Sequence, residues 1–200
     1  LHVDNDWAKL ELLLADMLAR RDQWLQVAGA GVERRVLEQS YARVVVAELA
    51  GLRAALPEAC ASELARLGAW AGAQLADSPL AGLEALPPPS LEHLAAWQAL
   101  AALFLTRDGR WRRTVTRREG FPAQGGDAKA MKQLWQQTLE RLAASPGLRA
   151  ALARMRALPA VPFGDGEWDT VRALFDLLTA ATAHLMVLCD LEGRADFTTF

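Results

Sequence analysis

Apolar side chains recur at steps of three and four residues along most of this chain, the spacing that places them on one face of an α-helix. Seven segments follow this pattern and predict seven helices, at residues 6–27, 32–55, 57–74, 91–105, 127–143, 146–158 and 167–191. No internal repeat accompanies them. The pattern therefore predicts an all-α fold, an irregular bundle of about seven helices that forms one helical subdomain over residues 1–200.

Two stretches interrupt the helical pattern. Residues 77–89 contain four prolines and are predicted to form a linker or surface loop, because proline disrupts the interior of a helix. Residues 104–116 contain the tight-turn dipeptide Asp108-Gly109, which predicts a short β-hairpin or an irregular arm. The last helix is expected to bury a stripe of apolar side chains formed by Trp168, Val171, Leu174, Phe175, Leu178, Leu185 and Leu188.

Composition excludes several classes of protein. Hydrophobic residues make up 52% of the chain, which is enough for a core and argues against disorder. The uncharged run at residues 177–189 is shorter than the roughly 20 apolar residues that span a membrane, so we expect no membrane partner. Cys60 and Cys189 are too few for a disulfide framework, which favours a reducing, cytoplasmic location.

The sequence contains no catalytic, cofactor-binding or metal-binding motif. A P-loop needs a lysine that follows a glycine and precedes a serine or threonine, and none of the three lysines fits this pattern. The three histidines lie far apart and form no metal-ligand spacing. The chain also begins at Leu1 rather than at methionine. We therefore expect a non-catalytic piece of a longer polypeptide.

Positive charge is concentrated in one part of an otherwise acidic chain. Residues 107–132, the basic segment, carry eight basic and three acidic side chains, a net charge of +5, whereas the whole chain has a net charge of −2. Arginine and lysine bind phosphate oxygens and release counterions from nucleic acids, and a tryptophan can stack on a base. The candidate DNA-binding residues are Arg107, Arg110, Trp111, Arg112, Arg113, Arg117, Arg118, Lys129 and Lys132.

The basic segment has a second interpretation. Runs of charge are usually solvated surface, on which these arginines would pair with acidic helices nearby. Trp111 would then anchor the core rather than stack on a base. The pI near 6.0 also argues against a free-standing nucleic-acid binder, which is usually strongly basic.

Three groups of residues, in order along the chain, carry a family resemblance. The first, residues 12–25, reads LLLADMLARRDQWL. The second comprises Leu105-Thr106, Gly109-Arg110-Trp111-Arg112, Thr116 and Glu119-Gly120-Phe121-Pro122. The third comprises Leu158-Pro159, Trp168, Leu174, Leu177-Leu178, Ala180-Ala181, Ala183, Leu185, Gly193 and Asp196-Phe197. Together they resemble the region between the Walker A and Walker B motifs of UvrD/Rep-type superfamily 1 DNA helicases, and most closely the RecB/AddA-like helicase–exonucleases.

This resemblance implies the helical 1B subdomain of an ATP-dependent DNA helicase or exonuclease that acts in DNA repair or recombination. Its partners would be DNA, duplex or single-stranded, near the fork and the remaining helicase domains of the same polypeptide. ATP and Mg²⁺ are expected in the parent protein, whereas no cofactor is expected in this chain, because the family's ATPase residues have no matching positions here.

Two other functions compete with this expectation. A helical protein–protein interaction module without DNA contact would expose an apolar patch away from the basic segment. A stand-alone helical enzyme would need a pocket with convergent polar groups, for which the sequence offers no candidate residues.

Overall fold

The computed structural model describes residues 7–29 and 33–193. Within them the chain forms eight α-helices and no strand, which confirms the predicted all-α fold. The helices are α1 (Trp7–Ala19), α2 (Arg21–Gly29), α3 (Arg34–Ala55), α4 (Glu58–Gln74), α5 (Leu94–Phe104), α6 (Gly126–Ala144), α7 (Leu148–Arg156) and α8 (Asp165–Glu192). Single 3₁₀ turns lie at Leu91–His93 and Arg117–Glu119. The Asp196-Phe197 pair and residues 6 and 32, where two predicted helices begin, lie outside the described residues.

The first predicted helix, residues 6–27, is two helices, and this corrects the count from seven to eight. At the break, the amide of Arg20 donates to Met17 O (3.1 Å) and the amide of Gln23 donates to Arg20 O (3.0 Å), a tighter pattern than the α-helical one. The Trp24 indole also donates to Met17 O at 2.7 Å. Side-chain donors of this kind compete with backbone amides for carbonyls, and the α-helical hydrogen-bond pattern stops there.

The described residues divide into two compact units. One contains residues up to Gln39 and from Pro162 onwards, and the other is Ser40–Val161. In the first unit, α1 and α2 pack on α8. Arg34 holds the start of α8, because its guanidinium bonds Glu38 Oε1 (2.9 Å), Asp165 Oδ1 (2.8 Å) and the carbonyl oxygen of Phe163.

Helix α8 buries less of its predicted stripe than expected. Leu178 is fully buried and Thr182 nearly so, but Leu188 is 53% exposed and other members of the stripe are half-buried. By length and composition, α8 is also apolar enough to cross a membrane, with a mean hydropathy of 1.6 over its best 18 residues. A large share of its apolar surface therefore has no cover among the described residues.

The second unit has a continuous apolar core built by α4, α5, α6 and α7 with the second half of α3. Trp97, Phe104 and Phe121 are its largest fully buried side chains. The Trp135 indole donates to Leu103 O at 3.0 Å, and its ring stacks on Phe104 with centroids 6.0 Å apart. This core is the support on which the basic segment lies.

Residues 77–89 form an irregular loop that packs within the second unit. Leu80 is buried, and its backbone approaches Gly72 of α4 so closely that an added Cβ would lie 2.4 Å from Leu80 O. Arg53 donates to Leu86 O (3.3 Å) and Pro87 O (3.2 Å), and the Trp97 indole donates to Pro88 O (3.2 Å). These bonds satisfy carbonyls that have no helical partner.

Candidate nucleic-acid interface

The basic segment begins inside a tight hairpin turn, which we call the arm (residues 105–111). Leu105 and Trp111 form an isolated antiparallel bridge. The amide of Thr106 donates to Arg110 O at 2.8 Å, and the amide of Gly109 donates to Thr106 O at 3.0 Å. Gly109 has φ +68°, a left-handed conformation that glycine adopts without steric cost. The arm predicted around Asp108-Gly109 is therefore present as a single bridge without strands.

Two arginines of α7 hold the arm in place. Arg156 Nη1 donates to Leu105 O (3.2 Å) and Thr106 O (2.7 Å), and Arg149 Nη1 donates to Gly109 O (2.9 Å). Neither arginine is among the predicted site residues. Their spacing of seven residues places them on one face of a helix, which is the sequence signal that could have identified them as a pair.

After the arm, the chain forms a 3₁₀ turn over Arg117–Glu119 that is closed at both ends. Glu119 Oε2 accepts hydrogen bonds from the Thr116 amide (2.9 Å) and hydroxyl (2.8 Å), and Thr116 Oγ1 accepts one from the Arg118 amide (3.3 Å). Such a capping box fixes the entry to a helical turn. The turn therefore presents Arg117 and Arg118 from a rigid backbone.

Arg112 and Glu119 form an ion pair beneath this surface. Arg112 Nη1 lies 3.0 Å from Glu119 Oε1, and Arg112 Nε donates to Ala102 O at 2.9 Å. Burial raises the pKa of Glu119, but the hydrogen bonds from Thr116 and the charge of Arg112 outweigh it and hold the pKa below its ordinary value. Arg112 is thus engaged within the fold, as the second interpretation of the basic segment expects.

Gly120 and Phe121 anchor the turn on α4. Gly120 has φ +81°, and a Cβ added there would lie 2.6 Å from Ala71 O. Phe121 is fully buried, and its amide donates to Thr116 O at 2.9 Å. The backbone that carries Arg117 is therefore attached directly to the core.

The structure places the remaining predicted residues differently from Arg112. Trp111 is half-buried and packs against the core. Lys132 is half-buried in α6. The other six are exposed, and in the described part of the chain none of these six, nor Lys132, forms an ion pair. The exposed cations are Arg107, Arg110, Arg113, Arg117, Arg118 and Lys129.

A surface pocket of about 660 Å³ lies between the 3₁₀ turn, the loop that follows it and α6. Arg117 and Lys132 line it, together with the neutral polar residues Gln74 and Gln124. No aspartate or glutamate is among the described residues that line it. The pocket thus combines two cations and neutral polar groups, which is a set that attracts anions.

Metal binding has no candidate site in the described part of the chain. No group of three His, Cys, Asp or Glu side chains within it could hold a metal ion. Cys60 is buried, and burial raises the pKa of its thiol, so it is an unreactive core residue. No family model, curated protein or solved structure matches this chain.

Proposed function

We propose that this chain is a non-catalytic, DNA-contacting helical subdomain of an ATP-dependent DNA helicase or exonuclease that acts in DNA repair or recombination. The observation that carries the proposal is the surface of the basic segment: seven of its eight cations form no ion pair among the described residues, and six of them are exposed. ATP and Mg²⁺ would bind to other parts of the parent protein.

The arrangement favours contact with a polyanion over contact with a single charged group. The exposed cations come from the arm, the residues after it, the 3₁₀ turn and the start of α6, so they present several separate charges. Each phosphate neutralised releases condensed counterions, which gives an affinity that falls steeply with salt and depends little on base sequence. Trp111 contributes less than its residue type indicates, because its ring packs on the core.

The test measures binding of the full chain to single-stranded and duplex oligonucleotides by fluorescence anisotropy at several salt concentrations. Replacing Arg107, Arg110 and Arg113 with glutamine should weaken binding and reduce the slope of log K against log salt by about one for each lost contact. The matched control replaces Arg35, Arg43 and Arg66, three exposed arginines outside the basic segment, in the same way. Equal effects of the two triple variants, or no binding by the unmodified chain, would reject the proposal.

A second candidate function is a helical protein–protein interaction module, which the first unit favours. Helix α8 exposes Leu177, Val187, Leu188 and Leu191, and α1 exposes Leu12 and Leu13. Apolar side chains in such number on one helix often mark a contact surface. Under this function, Leu188→Glu and Leu191→Glu would abolish binding to a partner, whereas the glutamine variants of the basic segment would leave that binding intact.

A further inference from the structure

We infer that the pocket beside the 3₁₀ turn binds a phosphate of the DNA backbone through Arg117 and Lys132, without reading the bases. The inference rests on the proposed function and names the substrate group that one part of the basic surface receives. It does not extend to the arm, which lies elsewhere in the segment and lines a different pocket.

Two positive charges from different elements meet at the pocket. Arg117 lies in the 3₁₀ turn and Lys132 in α6, fifteen residues later, yet both line the same pocket. The carboxylate nearest to Arg117 in sequence, Glu119, accepts hydrogen bonds from Thr116 and pairs with Arg112. Its charge is therefore already compensated, and the two cations of the pocket remain available to an anion.

The pocket also has the size of a small-ligand cleft. A volume of about 660 Å³ lies within the roughly 300–1,000 Å³ typical of small-ligand clefts, and it is larger than a phosphate group needs. The excess space fits the sugars on either side of a phosphodiester. Gln74 and Gln124 add side-chain amides that can donate hydrogen bonds to phosphate or sugar oxygens.

The aromatic content of the pocket bears on whether a base could stack there. Phe121 is the aromatic residue that lines the pocket, and its side chain is fully buried. Base stacking on proteins uses exposed aromatic faces, and none is offered by the described residues around this pocket. Recognition there is therefore of the backbone, which is common to all sequences.

The fold holds the backbone around the pocket in place. The capping box of Thr116 and Glu119, the contact of Gly120 with Ala71 and the buried Phe121 fix the backbone that carries Arg117. Lys132 lies in the first half of a 19-residue helix. Since the backbone is already ordered, binding an anion costs mainly the side-chain freedom of the two cations.

The experiment compares the full chain with the variant Arg117→Gln/Lys132→Gln, using oligonucleotides of different base composition. The variant should bind at least roughly tenfold more weakly at low salt, by the same factor for every sequence, and its salt slope should be smaller by about two. The control Arg43→Gln/Arg66→Gln removes two exposed charges of the same unit and should change affinity by less than about twofold, since it removes no phosphate contact. Circular dichroism verifies that both variants keep their helices.

Four outcomes test this inference together with the proposed function. If the pocket variant behaves like the control while Arg107→Gln/Arg110→Gln weakens DNA binding, the proposed function stands and the pocket assignment is overturned. If inorganic phosphate binds at the pocket and DNA does not displace it, the pocket is assigned to a free anion. If poly-glutamate displaces DNA at equal charge concentration, the pocket is assigned to an acidic protein. An unmodified chain that binds no DNA overturns both proposals.

Discussion

Arg112 Nη1 lies 3.0 Å from Glu119 Oε1. This ion pair joins the 3₁₀ turn, which carries exposed arginines, to the chain that leaves the arm. Because folding lowers the pKa of Glu119, the stability that this carboxylate contributes is present above its ordinary value of 4.5 and is lost as pH falls through the lower folded value. Glu119→Gln should lower the free energy of unfolding by about 1–3 kcal/mol at neutral pH, because it leaves Arg112 without its charge partner.

In the same variant, the free energy of unfolding should also depend less on pH in the acid range. Denaturant titrations at neutral pH and at pH below the ordinary value of 4.5 provide the measurement. The unfolding free energies of the unmodified chain and the variant should converge as the pH falls, because protonation of Glu119 removes the charge that the variant lacks. A constant difference at every pH would show that the ion pair contributes nothing that depends on ionisation.

Gly120→Ala should destabilise the second unit more than Gly82→Ala. Both glycines have positive φ, +81° and +71°, so both substitutions carry the conformational penalty of about 1 kcal/mol or more. At Gly120 the new Cβ also meets the Ala71 backbone, whereas nothing lies within 4 Å of a Cβ at Gly82. Thermal unfolding of both variants gives the comparison, and equal melting temperatures would contradict the close approach.

Arg156→Met should loosen the arm without unfolding the chain. The variant keeps an unbranched apolar stem, although a shorter one, and removes the donors to Leu105 O and Thr106 O. Hydrogen exchange of the Thr106 and Arg112 amides, which close the arm, should become faster because their local opening costs less free energy. The neighbouring exposed Arg154 provides the control, and equal exchange in Arg154→Met and Arg156→Met would contradict the bracing role.

Leu178→Ala and Leu188→Ala should differ strongly although both change the same helix. Leu178 is fully buried, and its truncation should cost about 2–5 kcal/mol through lost contacts and a cavity. Leu188 is 53% exposed, and its truncation should change stability by less than about 0.5 kcal/mol. Chemical denaturation provides the measurement. A large loss of stability in Leu188→Ala would mean that this face of α8 is covered in solution.

The sequence predicted the positions of most helices, because burial imposes a spacing that is visible in the residues themselves. It missed the break after α1, since the bond from the Trp24 indole to Met17 O leaves no periodic trace. It also overestimated the burial of α8. Apolar residues at helical spacing show which face prefers to be covered, as at Leu178, but Leu188 shows that they do not show what covers it.

The sequence predicted which segment contains the candidate site, but not which of its side chains lie on the surface. Clustering of charge located the residues, but the nine candidates are not equivalent in the structure. Arg112 is held by Glu119 and Ala102 O, and Trp111 packs on the core. The pocket itself depends on Gln74, which lies more than forty residues before Arg117 in the chain. Only the fold brings these two elements together.

The arginines that brace the arm have an effect beyond holding it. Arg149 and Arg156 bond neutral carbonyl oxygens there, so each retains its full positive charge beside the tip. The electric field around the arm is therefore stronger than the charges of the basic segment alone produce. A field of this kind accelerates the diffusional encounter with a polyanion at low ionic strength, even for charges that never touch it.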